Sequence, residues 1–184
     1  MRGDGQVVVV RFDSCNVEVV SAFDLGSCQY LICNTAFGGS FKLTRPWAEV
    51  VRLDEVDKAT NGNLRPLIRM LKAWQGNCTV PIKSFHLELA AANFLQQSPW
   101  RLKDGSWFDW MIRDFFAFLY SRAGTCVTVP GTEELVHLGR DWCSRCWSVY
   151  VRAVKACQFE ELNMVEEAGW QWQMILGRDI PKNV

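Results

Sequence analysis

GNLRPLIRMLKAWQGNCTVPIKSFHLELAA, residues 62–91, is the stretch whose reading decides the fold. Leu64, Leu67, Ile68, Leu71 and Trp74 recur at i, i+3, i+4, i+7 and i+10, which is one face of a helix. Asn63 stands where an N-cap belongs, Pro66 is tolerable in the first turn, and Gly76-Asn77 supplies a stop. Ser84 can cap a second helix that runs to about residue 97, with Pro99 beyond it. The polar positions of the pair are unusual. Arg65, Arg69 and Lys72 are spaced i, i+4, i+7 as a basic stripe, and Lys83, Ser84 and His86 gather at the second helix start. Two readings stay open. The stripe is a solvated face, or it faces an anion. In the second case a Lys ammonium, a Ser hydroxyl and the unpaired N–H groups of a helix N-terminus converge on something like a triphosphate tail.

Upstream of this pair the period is 2, not 3.6. Residues 7–12 (VVVVRF) and 17–23 (VEVVSAF) are β-branched runs around Asp13-Ser14-Cys15-Asn16, a β-hairpin pattern. Residues 29–33 (QYLIC) read as a further short strand, and the Gly-rich 34–47 (NTAFGGSFKLTRPW) as a loop closed by Pro46. Glu18 interrupts an otherwise apolar strand. It is either a solvent-facing residue or a ligand for a hard cation such as Mg²⁺.

Downstream, a third helix is expected to open at Ser106, with Asp109 at capping-box distance. Its body, WFDWMIRDFFAFLYSR, is apolar on more than one side and therefore central to the bundle. Residues 123–132 break the pattern, helix resumes over about 133–157, and a last helix spans about 160–176 before Gly177 and Pro181. The fold class is thus α+β: two to three strands followed by a bundle of about five helices.

Composition narrows the function. Apolar residues make up 49% and charged residues 22%, which describes a folded globular chain and excludes a disordered one. The formal net charge is zero, so there is no general basic field for nucleic acid. No run approaches the ~20 apolar residues of a membrane span, and no membrane partner is expected. Eight cysteines without a secretory signal point to free thiols in a reducing cytoplasm. Cys143 and Cys146 form the one close pair. A zinc site there would need His137 and Cys126 as further ligands, whereas free Cys is commonly a small buried hydrophobe.

Taken in order, VEVVSAF, the Gly-rich loop ending in Arg-Pro, LRPLIRMLKAW, PIKSFHLELAA and the terminal EEAGWQWQMILGRDIP (166–181) resemble the bacterial cyclic-oligonucleotide synthases. These are relatives of cyclic GMP-AMP synthase and 2'-5' oligoadenylate synthase within the polymerase-β-like nucleotidyltransferases. The likeness runs from about Val7 to Pro181. It implies a partial catalytic sheet over residues 1–60 and a helical nucleotide-binding domain over 61–184. It implies that Glu18 is the third metal carboxylate, that Lys72 and Ser84 touch nucleotide phosphates, and that Phe85 stacks on a base. It further implies NTP substrates, Mg²⁺ and a role in antiphage defence.

One departure is serious. The family's Gly-Ser turn followed by Asp-x-Asp is not in this sequence. Gly26-Ser27, Gly39-Ser40 and Gly105-Ser106 lack the acidic pair, and Glu55-Val56-Asp57 falls after the strand of Glu18. Two-metal nucleotidyl transfer needs several carboxylates. The chain therefore reads as the C-terminal portion of such an enzyme, inactive alone. Mg²⁺ use is expected only where a missing N-terminal segment or a companion polypeptide supplies the other acids. The alternative is a non-catalytic nucleotide-binding or regulatory helical module.

Overall fold

The computed structural model describes residues 2–4, 7–35 and 38–181. They form an α+β protein of two compact units, residues 1–51 with 130–133, and residues 52–129 with 134–184.

The first unit carries two three-stranded antiparallel sheets, in the orders β1-β2-β3 and β4-β5-β6. β2 (Val7–Arg11) and β3 (Asn16–Val20) are the expected hairpin. Their register sets Val7 against Val20 and Val9 against Glu18, and β1 (Arg2–Asp4) adds on the other edge of β2. The run 17–23 is not one strand. It breaks at Ser21, and β4 (Ala22–Asp24) joins the second sheet against β5 (Tyr30–Asn34). The expected loop 34–47 is corrected twice. β6 (Ser40–Thr44) pairs with β5, because Phe41 and Leu43 alternate with Ser40, Lys42 and Thr44 at strand period. Pro46 does not close a loop. It is the first residue of α1 (Pro46–Ala59), a place where its missing N–H costs nothing. The tip 130–133 belongs to this unit through Gly131. At φ +80° a Cβ there would stand 2.6 Å from the Ala48 Cβ, so only glycine permits the approach.

The second unit holds the core. α2 (Leu64–Asn77) buries Leu64, Leu67, Ile68, Leu71 and Trp74, the face read from their spacing. α3 (Ser84–Gln97) buries Leu87, Leu89, Ala90, Ala91, Ala92, Phe94 and Leu95, and its alanines let neighbours approach closely. α4 (Phe108–Ser121) is central, with Met111, Ile112, Phe115, Phe116 and Leu119 buried. Trp74 meets Phe116 edge-on, with ring centroids 4.8 Å apart. Each such ring removes a large apolar area from water, and the edge-to-face pair adds about 0.5–1.5 kcal/mol.

Three helix boundaries differ from expectation. Ser106 does not cap α4. Asp104 caps a single 3-10 turn, Gly105–Trp107, its Oδ1 accepting from the Ser106 N–H at 3.1 Å. The expected helix over 133–157 starts only at Cys143. Before it, β7 (Cys126–Thr128) and β8 (Leu135–His137) form a hairpin that pairs Val127 with Val136. α5 (Cys143–Glu161) then runs four residues past 157 and takes in Glu160. α6 (Val165–Leu176) is stopped as expected by Gly177, whose φ of +106° a side chain would strain. There are six α-helices among the described residues, one more than the pattern suggested, and the extra one is α1.

Candidate functional site

Lys72 and Ser84 each bond across to the facing helix, Lys72 to Glu88 and Ser84 to Gln75, where α2 hands over to α3. Gln75 ties that corner together. Its side-chain N–H donates to the Ile82 carbonyl, and its Oε1 accepts from Ser84 Oγ at 2.8 Å. Lys72 Nζ lies 2.5 Å from Glu88 Oε1, a helix-to-helix ion pair in which the Lys side chain is 45% exposed. The bond between Gln75 and Ile82 explains the sharp turn: the loop carbonyl is satisfied by a side chain of the helix it has just left.

The start of α3 has the properties of an anion-facing terminus. Lys83 precedes it in an extended conformation, and no side chain caps the first-turn N–H groups. Those groups and the helix dipole favour negative charge, and Lys83 adds a cation beside them. Burial, and then the neighbouring Lys83, hold the His86 pKa below its ordinary value of 6.5, which favours its neutral form. Phe85, also in this first turn, is half-buried and packs on the helical core.

The basic stripe divides. Arg65 is held by α1: it pairs with Asp54 and, at 3.5 Å, with Asp57, whose other oxygen accepts from the Arg65 backbone N–H. Arg69 and Lys72 remain exposed on the outer face of α2. Arg65 is thus committed to the acids of α1, and Lys72 to Glu88 of α3.

Sequence reasoning missed Gln75 and Glu88. A signal was present, since Gln75 lies three residues from Lys72 and Glu88 four from Ser84. Those spacings put each pair on one helix face.

Glu18 belongs to the other unit. It sits on β3, exposed, opposite Val9. Among the described residues it joins no group of three ligand-type side chains. A single carboxylate does not fit a two-Mg²⁺ centre, which needs several. The zinc reading of the cysteines fares differently. Cys126 Sγ lies 3.3 Å from His137 Nδ1 across β7 and β8. Cys146 is elsewhere in its bonding: it is buried, donates to the Phe116 carbonyl at 3.4 Å, and burial pushes its thiol up to about 12. All eight cysteines are free. No helix among the described residues is long and apolar enough to cross a membrane.

The chain shares its fold with DncV. The Escherichia coli DncV crystal structure in its 3'-deoxy GTP bound form matches 95% of this chain with a TM-score of 0.71 at 16% identity. The Vibrio cholerae DncV cyclic AMP-GMP synthase, in complex with the linear intermediate 5' pppA(3',5')pG, matches 97% with a TM-score of 0.72 at 15% identity. The chain spans about half the length of these structures, 52% and 54% respectively. No protein-family profile and no curated protein sequence matches it. The α+β fold expected from the resemblance is therefore the fold found, and it is shared with DncV over nearly the whole chain.

Proposed function

We propose that this chain supplies the nucleotide grip of a cytoplasmic nucleotidyltransferase that builds cyclic or linear oligonucleotide messengers from NTPs, in antiphage defence. The observation that carries the reading is the fold match over 95–97% of the chain to synthases solved with a GTP analogue and with pppApG. In this reading Lys72 leaves Glu88 to meet a phosphate, Ser84 turns its hydroxyl from Gln75 to the same group, and the N–H groups of α3 complete the cradle. Phe85 stacks on the base, and Glu18 contributes one carboxylate to Mg²⁺. The remaining acids come from a further segment or a companion polypeptide, because no Asp-x-Asp occurs in these 184 residues. The exposed edge strand β3, with Val17, Val19 and Val20, offers such a partner a sheet edge and an apolar surface.

A second reading has the same missing acids in its favour: a helical module that binds nucleotide and regulates without catalysis. Two measurements separate them. Residues 1–184 alone, with Mg²⁺ and labelled NTPs, should release no pyrophosphate, and clear turnover would refute the proposed dependence on outside carboxylates. Adding a polypeptide that carries Gly-Ser and Asp-x-Asp should start turnover if the chain belongs to an enzyme, and leave it silent if it is a module. The grip itself is tested by ATP titration. Lys72→Ala should weaken binding about tenfold, the loss of one charge-assisted contact. Equal and negligible binding by both proteins removes the grip from either reading.

A further inference from the structure

Away from the α2–α3 corner, the helical unit holds a second group of polar side chains that the nucleotide reading does not use. Asp109 lies in the first turn of α4, Cys157 and Glu160 in the last turns of α5, one turn apart on the same face. One ligand atom from each, a carboxylate oxygen, a thiol sulfur and a carboxylate oxygen, lie within 4.8 Å of one another. From α6, Trp172 Nε1 donates to Glu160 Oε1 at 2.6 Å.

The group is not satisfied by its protein surroundings. Cys157 is 2% exposed, and its thiol makes no hydrogen bond among the described residues. Asp109 Oδ1 is shut off from solvent and accepts no hydrogen bond. Arg113, whose charge reaches Cys157, is already committed to Asp114 at 2.7 Å. A buried polar group without a partner is destabilising. Two of them at one point, the Cys157 thiol and Asp109 Oδ1, mark a place that a positive ion would relieve.

Access exists. A pocket of about 400 Å³ reaches the two acids, with Asp109 and Glu160 in its wall beside Ser106, Val165 and Gly169, while Cys157 lies behind it. Water can enter it and serve as a further ligand.

We propose that Asp109, Cys157 and Glu160 form a binding site for a divalent cation of the zinc class. The donor set makes the choice. A thiolate favours a borderline-soft ion over Mg²⁺ or Ca²⁺, which take oxygen donors only. Zn²⁺ binds sulfur at about 2.3 Å and carboxylate oxygen at about 2.0–2.2 Å, so three ligands around it stand roughly 3.5 Å apart. The observed span accommodates that. The Trp172 indole fixes one Glu160 oxygen, the kind of outer hydrogen bond that orients a metal carboxylate. Binding releases the thiol proton to solvent, and one thiolate with two carboxylates then sets three negative charges against the ion's two positive ones.

The test uses the full chain, stripped with chelator and titrated with Co²⁺ as a spectroscopic stand-in for Zn²⁺. One equivalent should produce thiolate-to-cobalt charge-transfer absorption with tetrahedral d–d bands, and Zn²⁺ should displace it. Cys157→Ser should abolish the charge-transfer band, and the near-isosteric Asp109→Asn should weaken Zn²⁺ binding at least tenfold with the helical circular dichroism unchanged. Trp172→Phe should keep the band and weaken binding about 10–100-fold. Cys126→Ala controls for the exposed Cys126–His137 pair and should leave the band intact. The proposal is overturned if the wild type shows no such band. It is equally overturned if the band survives Cys157→Ser and vanishes in Cys126→Ala.

Discussion

Val19 and Leu71 are both aliphatic residues in the middle of regular elements, yet Val19 in β3 is 50% exposed and Leu71 in α2 is 0% exposed. The two units differ in the same way throughout. Among the described residues of the sheet-bearing unit none is buried, and all five residues of β3 are exposed. The helical unit buries Trp74, Trp142, Phe115 and Phe116 completely. One unit is therefore held by side-chain packing, which scales with the apolar area removed from water. The other is held by ladder hydrogen bonds and cross-strand pairs, each worth a few tenths of a kcal/mol to about one. Apolar composition alone does not make a core. The valines of β2 and β3 have the right chemistry and no layer of their own unit packed on them.

The largest test of this contrast is in the core. Trp74→Ala should cost about 3–5 kcal/mol in chemical denaturation, because it opens a cavity against Phe116 that rigid neighbours cannot fill. Trp74→Phe should cost far less. Its indole N–H is buried without a partner, so removing it relieves a penalty while the ring is kept. A loss below about 1 kcal/mol for Trp74→Ala would place the helical unit in the same class as the sheets and end the comparison.

A second test uses pH. In the metal-free chain the Glu160 carboxyl titrates at about 7, above its ordinary value of 4.5, chiefly through burial. A raised folded-state value means that folding favours the protonated form. Its contribution is fully present below about 4.5 and is lost as pH rises through about 7. Thermal unfolding in chelator should therefore show a melting temperature that declines across this window. Glu160→Gln, which keeps the Trp172 hydrogen bond, should flatten the decline. An unchanged slope in that variant would move the titrating group elsewhere.

How much of this was legible depends on what each residue answers to. The α2 stripe was readable because Leu64, Leu67, Ile68, Leu71 and Trp74 all meet one core, so the period of burial appears directly in the sequence. α1 was not, since it buries only Val56 and leaves Trp47 and Val50 exposed, and a helix without a clear buried stripe carries little signal. β6 was hidden by its flanks: glycines before it and Pro46 after it read as loop chemistry. β7 was read as part of a break and β8 as helix, because three-residue strands are too short for period 2 to stand out. At the candidate site, Lys72 and Ser84 were found as types. Their partners Gln75 and Glu88 were not, because a facing pair on two helices becomes visible only once both faces are assigned to one corner.

The smallest expected effect lies in the sheet unit and sharpens the contrast most. Phe23 on β4 and Phe41 on β6 meet edge-on, with centroids 6.1 Å apart and planes at 70°, and both are 61% exposed. A buried aromatic pair of this geometry is worth about 0.5–1.5 kcal/mol beyond its area. Here each ring stays largely in water with or without its neighbour, so coupling should fall at or below the low end. A double-mutant cycle of Phe23→Ala and Phe41→Ala, read by the exchange of the β5 amides between them, isolates that term. Coupling near zero fits strands held by their backbone ladders. Coupling above about 1.5 kcal/mol would mean that the rings form a small core of their own, and the division between a packed unit and an unpacked one would no longer hold.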